Sequence, residues 1–415
     1  MDESYVHVLI KDAEDTLQPY FKKIEENALK RQKEVLLAFR QQQVEARHFS
    51  GTNGYGYDDI GRDKLEYLLA DIMKAESALV RPGIASGTHA LCLALFGVLR
   101  PGDTILSVSG APYDTLASII GLNGKEGMGS LREWGVGYSQ LELLEDNGLP
   151  DIDAILYKLQ QDTSIRMVYL QRSRGYSLRS AISTEDMREL FSTIRKSAPG
   201  VIIMVDNCYG EFVEAEEPIA VGADLMAGSF IKNPGGGIAP SGGYICGKKV
   251  LIEQVASRLT APGIGAEVGS YEAGYRAFYQ GLFLAPHMVS QAIKGAVLAA
   301  KLYADLGYDV SPAWDAHRGD IIQAIALNNR DRLIRFCKAI QSASPIDSHL
   351  TPEPWAMPGY RDEVIMAAGT FVQGATLELS VDAPVKPPYV LYMQGGLTYE
   401  HCKLAITETL LNETF

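Results

Sequence analysis

The sequence predicts an α/β protein: a mostly parallel sheet covered by helices on both faces, followed by a smaller α+β unit. Three observations carry this. Strand-like and helix-like segments alternate between about residues 77 and 206, the pattern expected of parallel strands joined by crossover helices. The runs 165–170 and 201–205 are apolar at successive positions, as strands covered on both sides must be. After Pro262-Gly263 the character shifts to long helical tracts and then short β-type runs.

Taken in order, residues 11 to 46 read as helix, with Ile24, Ala28, Val35, Leu36 and Phe39 marking one apolar face. The Gly- and Tyr-rich segment 51–57 that follows cannot be regular structure. A helix over 62–73 leads to a short strand at 77–80, and the turn Ser86-Gly87-Thr88 opens a helix over 89–98. Pro101-Gly102 sets off a strand at 103–108; helices at 151–160 and 184–196 precede the strands at 166–170 and 201–205. A long helical tract spans 271–306, with an interruption expected near Pro286, since an interior proline removes a backbone donor. A helix at 330–342, β segments at 363–369, 375–381 and 389–391, and a helix at 399–411 complete the pattern. Three units are expected: an N-terminal helical arm (1–50), a large α/β domain (51–275) and a small α+β domain (276–415).

Composition narrows the function classes. Of 415 residues, 47% are hydrophobic and 21% charged, which is ordinary globular usage. A net charge of -13 argues against nucleic-acid binding, which needs clustered Lys and Arg to displace counterions. The cysteines, Cys92, Cys208, Cys246, Cys337 and Cys402, are odd in number and lack metal-ligand spacing. They read as free thiols in a reducing compartment, and no metal site is expected. No basic-then-apolar leader opens the chain and no uncharged apolar run approaches the ~20 residues of a membrane span. A cytoplasmic protein with no membrane partner is the expectation.

The chemistry is concentrated in three segments. Lys232 is followed at once by Asn233-Pro234-Gly235-Gly236-Gly237. Asp206 closes the apolar strand 201–205, and Ser86-Gly87-Thr88 precedes a helix. Together they read as a site for pyridoxal 5'-phosphate. Lys232 would carry the aldehyde as a Schiff base. Asp206 would keep the pyridine nitrogen protonated, because a carboxylate beside it raises its pKa. The Ser-Gly-Thr turn would hold the phosphate, since a helix N-terminus offers N–H donors and a favourable dipole. Lys232 must be a neutral amine to react, although a free lysine has a pKa near ~10.4; burial and nearby positive charge are expected to favour that form. Tyr113, in the loop after strand 103–108, suits stacking on the cofactor ring or moving protons. Tyr209 either reaches the ring's phenolic oxygen or packs as an ordinary aromatic. His89, on the first turn of its helix, reads as a packed residue. A dinucleotide-binding oxidoreductase is disfavoured, because no GxGxxG follows an early strand.

At these residues the chain resembles the fold-type-I pyridoxal-phosphate enzymes of the Cys/Met-metabolism group, which includes cystathionine lyases and methionine γ-lyase. Within that group it is most similar to the bacterial branch labelled aluminium resistance protein or methionine γ-lyase family protein. The matching stretches are residues 54–62, 85–90, 110–116, 205–212, 229–237 and 280–287. The resemblance implies that Ser86, Gly87, Thr88 and Ser229 hold the phosphate, that Tyr113 stacks on the ring, and that Asp206 and Lys232 act as above. It implies that Tyr55 or Tyr57, with Arg62, reaches the phosphate of a neighbouring subunit, so that a homodimer is the catalytic unit and a tetramer pairs two dimers. It also implies a carbon–sulfur lyase that eliminates a thiol from a sulfur-containing amino acid such as methionine or cystathionine. An aminotransferase, a C–C lyase, or a cofactor-binding protein with a non-enzymatic role in metal tolerance are the alternatives. The group's C-terminal carboxylate-binding arginine is missing from the segment 389–397; Arg172 and Arg361 are the substitutes, with Arg172 favoured.

Overall fold

In the computed structural model, which describes residues 1–357 and 362–412, the expected alternation is realised. The chain opens with helices α1 (Glu3–Gln41) and α2 (Ile60–Met73). Seven strands follow: β1 (Ser77–Arg81), β2 (Thr104–Ser107), β3 (Gly137–Gln140), β4 (Ile165–Gln171), β5 (Ile202–Asp206), β6 (Leu225–Ser229) and β7 (Gly243–Gly247). They form one sheet in the order β1-β7-β6-β5-β4-β2-β3. Only β7 runs against its neighbours; the remaining pairs are parallel.

Helices α3 (Gly87–Val98), α4 (Asp114–Ile120), α5 (Ile152–Gln161), α6 (Thr184–Ser197) and α7 (Lys249–Leu259) connect and cover these strands. Alternate strand residues serve opposite layers. Met167 and Met204 pack with α3 and α7, whereas Val168, Ile203 and Val205 pack with α6. This two-sided burial is why the strands carry apolar residues at consecutive positions. The start of α6 is fixed by a capping box, in which Ser183 and Asp186 satisfy each other's backbone N–H.

The rest of the chain builds a five-stranded sheet. Its elements are α8 (Arg276–Asp305), β8 (Asp309–Ser311), β9 (Gln323–Ala326), α9 (Arg330–Ser342), β10 (Val364–Ala368), β11 (Ser380–Pro384), β12 (Val390–Gln394) and α10 (Tyr399–Leu411). The strand order is β10-β11-β12-β9-β8, antiparallel throughout.

Two expectations are corrected here. The break near Pro286 does not occur: α8 runs unbroken with Pro286 buried inside it. Packing of α8 against α1 and the small sheet outweighs the one hydrogen bond that proline removes. The β segment placed at 375–381 lies instead at β11, because residues 372–378 turn around the Glu378 carboxylate, which accepts from the N–H groups of Phe371 and Val372. Among the described residues α8 is also the one helix long and apolar enough to cross a membrane, yet 67% of its apolar stretch is buried inside the fold.

The glycines after Lys232 have a packing reason. A Cβ on Gly281 of α8 would stand 2.1 Å from the Gly235 carbonyl oxygen, and one on Gly236 2.4 Å from the Gly281 carbonyl oxygen. Helix and lysine loop therefore meet backbone to backbone. Gly281→Ala is expected to destabilise the protein by about 1–3 kcal/mol, the cost of overpacking. Urea unfolding checks this, and an unchanged midpoint would show that the loop yields freely.

Candidate active site

The carboxyl ends of the parallel strands converge on one cavity of about 700 Å³, where ligands bind in open α/β sheets. Asp206 closes β5, Ser229 closes β6, Gln171 closes β4, and the loops after β1 and β2 supply Ser86 and Tyr113. The expected residues Ser86, Gly87, Thr88, Tyr113, Asp206, Tyr209, Ser229 and Lys232 all line this cavity.

Each is held by its local structure. Ser86 is the N-cap of α3, and its Oγ accepts from the His89 N–H at 3.0 Å. Gly87 lies so close to the ends of neighbouring strands that a Cβ there would stand 3.0 Å from Cys208 Sγ and 3.2 Å from Ser229 N. The absent side chain brings the helix N-terminus flush with the cavity floor. Thr88 Oγ1 lies 3.2 Å from the Tyr113 hydroxyl. Tyr113 itself caps α4 and lines the cavity beside it.

Asp206 is almost completely buried. Its carboxylate accepts from the Cys208 N–H at 3.1 Å and from the Tyr169 hydroxyl at 3.4 Å. Burial pushes its pKa up despite those donors. Lys232 Nζ sits 3.7 Å from the centroid of the Tyr209 ring, a cation–π contact. Burial disfavours the ammonium, but Tyr209, Cys208 and Asp206 outweigh it and hold the amine above the pKa of a free lysine. The expected neutral amine is thus corrected. Among the described residues Lys232 is the one cationic side chain lining the cavity, so none of them stands there to push its proton off.

The remaining expected residues lie elsewhere. Arg172 is fully buried and does not face the cavity. Its guanidinium donates to Asn207 Oδ1 at 2.7 Å, to the Gly210 carbonyl at 3.0 Å and to Glu214. It braces the loop that carries Asp206 and Tyr209, where Tyr209 adopts a positive φ of 72° and a Cβ on Gly210 would strike Arg172. Its two terminal nitrogens are committed to these acceptors, and the guanidinium lies away from the cavity where a substrate carboxylate would bind. Arg361 lies outside the described residues. Tyr55 and Tyr57 are exposed, 5.8 Å apart between ring centroids. Arg62 is turned into its own chain, donating to the Gly56 carbonyl at 2.7 Å and to Asp63 at 2.8 Å.

The sequence reasoning missed the opposite wall. Met366, Asp382, Tyr392 and Gln394 of the small sheet, with Tyr176 from the loop after β4, close the cavity over Lys232. Beneath the lysine loop, Glu211 was missed as well. It is fully buried and accepts from the Tyr244 hydroxyl at 2.6 Å; its Oε2 has no hydrogen-bond partner among the described residues, and its carbonyl accepts from Asn233 Nδ2 at 3.0 Å. Burial pushes its carboxyl up to about 8.

This sheet order with the lysine, aspartate and helix terminus on one cavity is the fold-type-I architecture of pyridoxal-phosphate-dependent enzymes. The model of the family described as methionine gamma-lyase matches residues 6–414, and the chain belongs to that family. A carbon–sulfur lyase involved in aluminium resistance from Clostridium novyi is 48% identical, with a TM-score of 0.95 over 98% of this chain and 95% of that one. A Listeria monocytogenes protein provisionally named a cystathionine beta-lyase involved in aluminium resistance is 48% identical, with a TM-score of 0.96 over 98% of this chain and 100% of the other. The pyridoxal-5'-phosphate dependent protein YhfS from Escherichia coli shares the fold at 16% identity and a TM-score of 0.63, over 94% of this chain and 97% of that one.

Arg172→Ala would strip Glu214 of its buried guanidinium, leaving it only His317, while Glu217 keeps Arg31, so a loss of about 3 kcal/mol of stability is expected. A variant that keeps its unfolding midpoint and loses only substrate affinity would return Arg172 to the substrate. For Glu211 the sign is opposite to the usual carboxylate. Its folded pKa of about 8 exceeds the unfolded value of about 4.3. Between the two the folded protein keeps a proton that the unfolded chain releases, so this group makes stability fall as pH rises. Glu211→Gln is expected to flatten that slope in urea unfolding at about pH 5.5 and about pH 7.5; an unaltered slope would show the carboxyl to be ionised in the fold.

Proposed function

We propose that the chain is a pyridoxal-phosphate-dependent carbon–sulfur lyase acting on a sulfur-containing amino acid. The observation that carries this reading is the convergence of Lys232, Asp206 and the N-terminus of α3 on one cavity. The residues present fit the cofactor. The space left by Gly87 and the hydroxyls of Ser86, Thr88 and Ser229 make a cradle for a phosphate. Asp206 is a buried carboxyl that would gain a cationic partner in a protonated ring nitrogen. When bound, the cofactor supplies a sink for the negative charge that develops at the substrate's Cα.

The protein's own groups do the rest. Tyr113 lines the cavity where it would stack on the ring, and the Tyr209 ring keeps Lys232 directed into the cavity. Pairing Asp206 with a ring cation neutralises one of the charges that keep Lys232 protonated, so cofactor loading brings the amine toward its reactive form. With its amine free, Lys232 would take the Cα proton as general base and would return a proton to the departing sulfur as the C–S bond breaks, so that a thiol leaves. The small-sheet wall limits water around these groups.

A homodimer in which the exposed Tyr55–Tyr57 segment serves the neighbouring copy's cavity would add two phenol donors for the phosphate. The five free cysteines fit a reducing cytoplasm.

Lys232→Ala is expected to abolish the borohydride-sensitive visible absorbance of purified protein and to lower thiol release from a panel of thioether amino acids by about 10²–10⁴-fold. Asp206→Asn is expected to keep part of its cofactor while losing thiol release by about 10²-fold or more. Amino-group transfer without thiol release in the wild type would replace the lyase with an aminotransferase. Undiminished release in Asp206→Asn would remove that carboxylate from the chemistry.

A further inference from the structure

The wall facing Lys232 carries a charge that the mechanism leaves unused. Along β11, Val381 and Ala383 point into the hydrophobic core, so Asp382 between them faces the other way, into the cavity. Its register neighbours, Met366 on β10 and Tyr392 on β12, line the same cavity. The carboxylate is held in place: Oδ2 accepts from Gln394 Nε2 at 3.0 Å, and Tyr176 donates to it as well. Tyr176 in turn lies against Tyr392, with ring centroids 5.2 Å apart. Asp382 and Lys232 interact electrostatically across the cavity.

The balance of charge on this wall is informative. Among the described residues no arginine or histidine lines the cavity, and Lys232 is committed to the chemistry on the proposed reading. A substrate arm reaching the small sheet therefore meets one oriented carboxylate, amide and phenol groups, and two apolar side chains, Met366 and Ile322. A carboxylate arriving alone would be repelled, and a bare methyl would leave the Asp382 charge shielded from water with only its neutral donors, Gln394 and Tyr176, to offset it. An ammonium would satisfy it.

We propose that Asp382 selects the substrate: it receives an ammonium on the distal arm of a thioether amino acid, the part that leaves with the sulfur. This rests on the lyase reading and narrows its substrate class. Thioethers with a second amino group, the class that includes cystathionine, are preferred over methionine, whose distal end is a methyl.

A matched pair isolates the interaction. S-(2-aminoethyl)-L-cysteine and S-propyl-L-cysteine have the same length and differ by an ammonium in place of a methyl. Both are assayed with holoenzyme, wild type and Asp382→Asn, for thiol release and for binding read from the shift in cofactor visible absorbance. The wild type is expected to favour the aminoethyl compound. Asp382→Asn is expected to cut the aminoethyl-to-propyl ratio of kcat/KM by about 10- to 100-fold, as loss of a hydrogen bond to a charged group does, with most of the change in KM and the same loss in binding. An unchanged ratio, or a wild type that prefers the propyl compound, would overturn the assignment. Absence of thiol release in the wild type from both compounds and from methionine would count against the lyase reading instead. The absorbance titration then still decides on Asp382: a selective loss of aminoethyl binding supports it and equal affinities overturn it.

Discussion

The site depends on one arrangement: a buried carboxyl at the end of β5 set against a half-buried amine just past the end of β6. Neither group is comfortable alone, because removing a charge from water costs several kcal/mol. The fold tolerates the pair by surrounding it. The Cys208 N–H and the Tyr169 hydroxyl satisfy Asp206, and the Tyr209 ring takes up part of the lysine's charge. Arg172 then fixes the loop that carries both Asp206 and Tyr209, while Gly235, Gly236 and Gly281 let α8 press directly on the lysine loop. What looks in one dimension like scattered arginines and glycines is a support for two side chains.

Much of this was legible in the sequence. The doubly covered strands, the Ser-Gly-Thr turn, the strand-terminal aspartate and the Lys-Asn-Pro-Gly-Gly-Gly segment are local signals, and each lies where its pattern places it. Helices α9 and α10 even keep their expected bounds. The failures are those where a distant contact decides. Pro286 ends a helix on local rules, but here it is buried between packed elements. Arg172 at a strand end could face the ligand or the loop, and only the return of residues 207–217 beneath it selects the loop. Strands β6 and β7 are short, glycine-bounded runs with no periodicity to separate them from turns.

The small-sheet wall was illegible for a related reason. Asp382 is one acidic residue in a short β segment, and a slip in register sends it to the core face. The sequence reading placed that segment several residues early, so its alternation carried no information about the cavity. On the proposed reading, chemistry and selectivity are separated in this protein. The groups that would hold and activate a cofactor come from the ends of the large sheet, and the groups that would recognise the departing arm come from the pleated face of the small one. The first set is shaped by backbone geometry and leaves sharp motifs. The second needs only one side chain at the right register, and leaves almost none.

The central claim is a covalent attachment at one residue. Borohydride reduction of the purified protein, followed by proteolysis and mass spectrometry, measures it directly. The account predicts a phosphopyridoxyl group on the peptide that contains Lys232 and on no other lysine. A modified lysine elsewhere, or an unmodified Lys232 peptide from protein saturated with cofactor, would contradict it.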